Sequence, residues 1–337
     1  MSLELSIIIF LIAAAVIGVG GVLLTLQAEK LAKVTGLGQL LTGAILIGAV
    51  TSLAGMVTSV TAAYEGHASL SVSNSLGGIA VQTLFLAVAD IFYRRANLEH
   101  AAASEANLLQ GAILIGLLSL PMLAMARPDI ALFGIHPVSI LVLLAYLFGL
   151  RLMGQAREKP MWKPRMTRET RTEKKEKGAH QRHGLTRLLM SFTALAVVVA
   201  VAGWALAGAA STISDHAGLN ETVMGGVLTA FTTSLPELVV AVTAVRRGAL
   251  TLAVGDILGG NTFDVLFLTA SDIAYRNGTI YAAITKNEIF WVALAILLVS
   301  ILMMGLLRRE KHGVGNIGFE SVLVLGLYFL GVITIML

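Results

Sequence analysis

Thr51-Ser52-Leu53 and Thr233-Ser234-Leu235 open two stretches, 51–94 and 233–276, that run alike for 44 residues at a constant offset of 182 and without a gap. Val60-Thr61-Ala62 lies over Val242-Thr243-Ala244, Gly66 over Gly248, and Leu76-Gly77-Gly78 over Leu258-Gly259-Gly260. Leu84-Phe85-Leu86 matches Leu266-Phe267-Leu268, Asp90-Ile91 matches Asp272-Ile273, and Tyr93-Arg94 matches Tyr275-Arg276. Twenty of the 44 pairs are identical. Shared apolar composition does not explain the polar matches, so the two stretches read as an internal repeat.

Outward from the repeat, the chain is a series of apolar runs. Of its 337 residues 56% are hydrophobic and 13% charged, too few charges for the surface of a soluble domain. Runs of about 20 apolar residues cross a bilayer as helices, and open strands cannot satisfy their backbone in lipid. The expected fold is an all-α membrane protein with ten transmembrane helices, at 5–27, 38–63, 69–92, 106–126, 131–153, 186–212, 221–245, 251–272, 285–307 and 317–336. The third and eighth spans are the least apolar, being rich in Ser, Gly, Asn and Asp. Met1-Ser2-Leu3-Glu4 lacks the basic start of a secretory signal, and no small-residue cleavage site is clear after it, so the first run is expected to remain as a helix. The absence of cysteine excludes disulfides, thiolate metal sites and a cysteine nucleophile.

A polar segment at 155–185 divides the chain into a first half, 1–154, carrying the degenerate repeat 51–94, and a second half, 186–337, carrying the repeat 233–276. Ten Lys and Arg between Arg157 and Arg182 face four Glu. With this loop in the cytoplasm, Lys30, Lys33, Arg94, Arg95, Arg246, Arg247, Arg308, Arg309 and Lys311 fall on the same side, while Arg127, Arg276 and Lys286 fall opposite. That asymmetry is the positive-inside bias, and it places both termini outside, in a cell (inner or plasma) membrane. It also accounts for the net charge of +4 without a nucleic-acid partner. Each repeat covers two spans, and five spans separate their starts, so the second copy is inverted. Two inverted five-helix repeats place a binding site at mid-membrane, where the halves meet.

An ionisable residue at the centre of a span costs at least about 2.5 kcal/mol on insertion scales, so each needs a reason. Glu237 follows Thr232-Thr233-Ser234-Leu235-Pro236. Pro236 donates no backbone hydrogen bond and disturbs the preceding turn, freeing carbonyls near 232–233. Thr233 and Glu237 are four apart, on one helix face. Carboxylate, hydroxyl and carbonyl make an all-oxygen set suited to hard cations. Asp264 follows Gly259-Gly260-Asn261-Thr262-Phe263; the glycines admit a close helix neighbour, and Asp264 is the natural second carboxylate opposite Glu237. Asn261 is either a ligand or a helix–helix hydrogen bond, and Asp256 either an access residue or a helix cap. In the first repeat Gly55, Ala54, Gln82 and Asn74 stand where Glu237, Pro236, Asp264 and Asp256 do, leaving Thr51, Ser52 and Gln82 as oxygen ligands in a strongly asymmetric site. Asp90 with Arg94, and Asp272 with Arg276, read as structural i,i+4 pairs. His67 is a pH-sensing candidate in an outer loop.

These residues resemble the sodium/calcium exchanger family of the cation/calcium antiporter superfamily. Thr232-Thr233-Ser234-Leu235-Pro236-Glu237 is similar to the family's Gly-Thr-Ser-Leu-Pro-Glu motif. Gly255-Asp256-Ile257-Leu258-Gly259-Gly260-Asn261-Thr262-Phe263-Asp264 is similar to its Gly-Asn-x-x-Gly-Ser-Asn-x-x-(Asp/Asn) motif. The resemblance implies Ca²⁺ and Na⁺ sites at mid-membrane, with Thr233, Ser234, Glu237 and Asp264 as ligands beside Thr51 and Ser52. The departures are Gly55 for the family's first-repeat Glu, Gly78 and Gly260 for its Ser, and Gln82 for its first-repeat Asn or Asp.

The expected function is secondary-active antiport of Ca²⁺ against Na⁺ or H⁺ by alternating access. The ions are cargo, no cofactor is called for, and no bond is made or broken, so an enzyme is not expected. The expected partners are inorganic cations and the lipid bilayer. A monovalent-cation/proton exchanger is the alternative that Gly55 and Gln82 favour; a non-transporting membrane scaffold or sensor is the alternative from another class.

Overall fold

The computed structural model describes residues 1–35, 48–93, 96–126, 130–158, 161–165, 167, 185–313 and 317–337. The start of the expected second span and most of the basic segment lie outside the described residues. The chain is helical: α1 Leu3–Thr35, α2 Gly48–Thr51, α3 Leu53–Tyr64, α4 Ala68–Phe92, α5 Leu98–Ala102, α6 Glu105–Met125 and α7 Pro137–Glu158 come first. They are followed by α8 Leu185–Ala217, α9 Glu221–Val223, a π-helical turn at Met224–Thr229, α10 Ala230–Thr233, α11 Leu235–Arg246, α12 Leu250–Ala274, α13 Ile280–Ala283, α14 Lys286–Arg308 and α15 Phe319–Met336. Among the described residues eight helices are long and apolar enough to span a membrane, or nine when α9–α10 and α11 count as one span bent by 46°.

The repeat extends well beyond 51–94. α1, α3 and α4 begin and end 182 residues before α8, α11 and α12, the same separation that links Gln82 to Asp264. The two weakest spans by hydropathy are the best buried. In α4 83% of the apolar window is buried and in α12 72%, against 17% in α8. Most of their Ser, Asn, Gln and Asp are buried in protein, while Val197, Val201 and Trp204 of α8 and Phe329 and Leu330 of α15 lie on the outside.

Contacts between the halves are reciprocal, as a two-fold relation produces. Gly21 of α1 lies against Pro236, where a Cβ would meet Pro236 Cγ at 2.3 Å; Gly203 of α8 lies against Ala54, where a Cβ would meet the Ala54 carbonyl at 2.8 Å. Asp90 accepts from Leu98 N (2.7 Å), Gly318 N (3.0 Å) and Ser321 Oγ (2.9 Å). Asp272 accepts from Ile280 N (2.9 Å), His136 N (2.8 Å) and Ser139 Oγ (2.7 Å). Every partner of one aspartate sits at the repeat offset from a partner of the other. This corrects the expected Asp272–Arg276 pair: the carboxylate ties down the backbone at Ile280 in its own half, and His136 N and Ser139 Oγ in the other. Arg94, the expected partner of Asp90, lies outside the described residues.

His67, between α3 and α4, holds Glu221 at the start of α9, with Nδ1 2.6 Å from Oε1; the other Glu221 oxygen accepts from Leu70 N at 3.3 Å. The Glu221 hydrogen bond raises the His67 pKa above its ordinary 6.5. A raised histidine pKa contributes stability that is complete below the unfolded value and is lost as pH rises through the folded one. The melting temperature of the purified protein is therefore expected to fall as pH rises from about 6 to above the raised pKa. His67→Gln flattens that slope; an unchanged slope refutes the tie.

Candidate cation site

Two breaks in the helices bring the expected residues together. Ser52 separates α2 from α3 and Ser234 separates α10 from α11, with nearly the same backbone (φ −84, ψ 3 and φ −95, ψ 5). Pro236 accounts for the second break by removing a helical donor. The first break has Ala54 at that position and rests on packing: Gly203 lets the Ala54 carbonyl approach, and Thr58 Oγ1 donates to the Gly203 carbonyl at 3.0 Å. Irregular backbone of this kind is tolerated in a membrane where protein or a cavity surrounds it.

Between the breaks and the crossing helices α4 and α12 lies a cavity of ≈ 10 Å³, about the room of one water. The broken spans contribute Ser52, Thr233, Ser234 and Glu237, and the crossing helices contribute Asn74, Gln82 and Asp264. Gln82 Nε2 donates to Asp264 Oδ2 at 2.7 Å and to Ser234 Oγ at 3.3 Å, and Ser52 Oγ donates to Glu237 Oε1 at 3.5 Å. Glu237, Asp264, Gln82 and Asn74 are all at most 5% exposed. One oxygen of each, Glu237 Oε2, Asp264 Oδ1, Gln82 Oε1 and Asn74 Oδ1, has no hydrogen-bond partner. A buried acceptor left unpaired costs about 1–3 kcal/mol. Four together around a one-ion cavity fit a hard cation, whose ligands are oxygens.

The other expected residues fall nearby. Thr51 Oγ1 donates to the Gly48 carbonyl at 3.1 Å, and Thr51 lines a neighbouring cavity with Glu237 and Asp256. Asn261 lines neither cavity; its Nδ2 reaches across to Thr83 Oγ1 (3.2 Å) and the Ile79 carbonyl (3.4 Å) of α4. Asp256 lies inside α12, whose N-cap is Ala249, so it is not a helix cap. Gly259 and Gly260 admit a close neighbour, Gly48 of α2, at 3.7 Å from a Cβ built on Gly48.

Sequence reasoning missed Phe267 and Asn74. A Cβ on Gly55 would meet Phe267 Cε2 at 2.9 Å, so the ring fills the space a first-repeat carboxylate would need. Among the described residues no group of three or more His, Cys, Asp or Glu is placed to hold a metal ion. The cavity offers two carboxylates and neutral oxygens.

Comparison with known proteins agrees in fold and family. The chain is 27% identical over 318 residues to the candidate antiporter CaxA of Alkalimonas amylolytica, covering 91% of this chain and 95% of that one. Its fold matches a solved H⁺/Ca²⁺ exchanger, CAX, with a TM-score of 0.70 at 13% identity, over 98% of this chain and 82% of that one. It also matches the sodium-calcium exchanger NCX_Mj, with a TM-score of 0.62 at 18% identity over 99% of both chains. The sequence pattern of the sodium/calcium exchanger proteins matches residues 5–153 and 187–337, on both sides of the central basic segment. Both halves thus carry the same assignment, and the chain belongs to the sodium/calcium exchanger family.

Proposed function

We propose that this protein is a secondary-active antiporter that moves Ca²⁺ against Na⁺ or H⁺ by alternating access. One observation carries the reading: Glu237 and Asp264, both buried, line a one-ion cavity with Gln82 and Asn74, and one oxygen of each of these four residues lacks a partner. The proposed ligands are Glu237, Asp264, Ser52, Thr233, Ser234 and Gln82, with Asn74 added to the expected set. Asn261 is set aside because it lines neither cavity, and Thr51 because it lines the neighbouring one.

Two carboxylates balance one Ca²⁺, two Na⁺ or two H⁺, so loaded states are near neutral and unloaded ones carry buried charge. That difference opposes movement of the unloaded carrier and couples the two ions by competition. The proposed topology has ten spans in two inverted halves, both termini outside and residues 155–185 in the cytoplasm. The recurrence of α1, α3 and α4 as α8, α11 and α12, and the reciprocal contacts of Asp90 and Asp272, support it. The broken spans would act as paired gates.

Phe267 over Gly55 and the amide of Gln82 on Asp264 favour a second reading, monovalent-cation/proton exchange, because both lower the charge available to a divalent ion. ⁴⁵Ca²⁺ uptake into proteoliposomes, driven in turn by an outward Na⁺ gradient and by a pH gradient, separates the two. Uptake under one gradient identifies the counter-ion. No uptake under either gradient rejects Ca²⁺ transport, and ²²Na⁺ flux that follows pH alone selects the second reading.

A further inference from the structure

Asp90 clamps two segments that carry acids of their own. It accepts from Leu98 N, the residue before Glu99, and from Gly318 N and Ser321 Oγ, which flank Glu320. The clamp brings the Glu99 and Glu320 carboxyl groups within hydrogen-bond reach of each other, and each residue is 1% exposed. As carboxylates, Glu99 Oε2 and both oxygens of Glu320 have no hydrogen-bond partner. We propose that Glu99 and Glu320 hold one proton between them, in a proton-binding site separate from the cation cavity that makes the junction of α5 and α15 dependent on pH. The site binds its proton whichever ion the chain carries.

Buried acceptors without a donor are costly, and two facing carboxylates do not both ionise cheaply. One proton answers both problems, because one carboxyl then donates to the other and the two titrate as a pair. Burial, with Asp90 and Glu320 beside it, holds the Glu99 carboxyl well above the ordinary carboxylate range. Glu310 adds a further negative charge beside Glu320. The other charged groups of the neighbouring elements face elsewhere. Arg309 donates to the His100 and Arg165 carbonyls, and the His100 ring lies on the Arg309 carbonyl and Thr167. Arg308 and Lys311 are exposed, and Arg246 stacks over Phe92. Glu105 accepts from Trp162 N, and Asp256 of α12 lines the cavity beside Glu237. A proton also fits the space better than a metal. Two glycines press on Glu320: a Cβ on Gly305 would meet Glu320 Cγ at 2.5 Å, and one on Gly318 would meet Glu320 Oε1.

The repeat restricts the site to one face. The residues 182 positions from Glu99 and Glu320 are Tyr281 and Val138. Asp272 clamps their neighbours as Asp90 does, through Ile280 N, His136 N and Ser139 Oγ. That clamp encloses a phenol and a hydrocarbon, with Tyr281 OH 3.5 Å from Ser139 Oγ. The clamp thus works without an acid pair, and the pair is an addition at the face that carries Arg308 and Arg309. Loss of the shared proton sets two charges face to face there, so the junction of α5 and α15 loosens as pH rises. Tyr281 and Val138 leave the matching junction without this response.

The test uses the full-length protein in detergent. A carboxyl whose pKa is raised by folding stabilises the chain fully below its unfolded value and loses that contribution as pH rises through the folded one. Glu99→Gln and Glu320→Gln each set an amide donor against the remaining carboxylate, as the protonated pair does. Each variant is expected to melt at least about 2 °C above wild type at about pH 9. Each removes the same part of the fall in melting temperature with pH, a part that persists in His67→Gln. The double variant removes no more, because one proton serves both residues. The infrared C=O stretch of a protonated carboxyl, present in wild type at neutral pH, is weaker in both single variants. Additive effects of the two substitutions, an unchanged slope or an unchanged band overturns the shared proton. Loss of fold in both single variants also overturns it, since an isosteric donor to the partner carboxylate is what the site requires. A Ca²⁺-induced rise in melting temperature that differs between wild type and Glu99→Gln would place a metal at the pair and overturn the proposal; equal responses support it.

Discussion

Glu237→Gln lowers gradient-driven cation exchange by at least about 100-fold, because removing one charge from a buried ionic set costs about 3–5 kcal/mol and each 1.4 kcal/mol is about tenfold. The same substitution stabilises the cation-free protein. Glu237 and Asp264 are 5% and 1% exposed, and each has an oxygen with no partner. Without a cation, those carboxylates share a buried space at an electrostatic penalty that a neutral amide of the same volume relieves. Three observations should coincide in the variant: loss of exchange, a higher melting temperature without added cation, and no further rise when Ca²⁺ is added. Wild type, by contrast, gains melting temperature with Ca²⁺, since a ligand that binds only the folded state stabilises it. A variant that melts lower than wild type and still exchanges cations would show that Glu237 serves the fold rather than the ion.

Gly77→Ala removes the folded protein from solution or lowers its stability by about 3 kcal/mol, the upper part of the range for overpacking. Gly77 sits on α4 where the π-helical turn crosses it. A Cβ there would lie 2.3 Å from the Gly226 carbonyl oxygen and 2.5 Å from its Cα. Both atoms are backbone, so no side chain can rotate away. Gly226 is itself held, because its own Cβ position lies 2.4 Å from the buried Trp291 ring. Relief requires α4 to move, and α4 carries Asn74 and Gln82 into the cavity. Gly116→Ala on α6 is the control: nothing lies within 4 Å of its Cβ position, and alanine is the better helix former. Thermal melts and size-exclusion profiles of the two variants should diverge sharply. Identical profiles would mean that the α4 crossing tolerates a methyl group and does not fix the site.

The carboxylate pair and the second helix break were legible in the sequence. Pro236 has a local consequence that no neighbour can reverse, and Glu237 and Asp264 are too costly inside apolar spans to lack a partner. The break at Ser52 was not legible, since Ala54 is a good helix residue and the cause is the approach of Gly203 from α8. Asp272 was misread for a related reason. A sequence offers only helical neighbours such as Arg276, whereas the carboxylate found His136 N and Ser139 Oγ more than 130 residues away.

By itself the sequence determined the membrane class, the repeat and the family resemblance. Each follows from a one-dimensional quantity: the length of apolar runs, the spacing of costly polar residues, and the order of residues in two motifs. Only the tertiary structure decided which oxygens meet. Gln82 and Asp264 touch because they lie at equivalent positions near the meeting of the two halves. Phe267 closes the space over Gly55, and Asp256 opens a second cavity behind Glu237. Side-chain meetings across the repeat depend on how helices cross, and that is fixed by the close approach of glycines on different helices rather than by any local pattern in the chain.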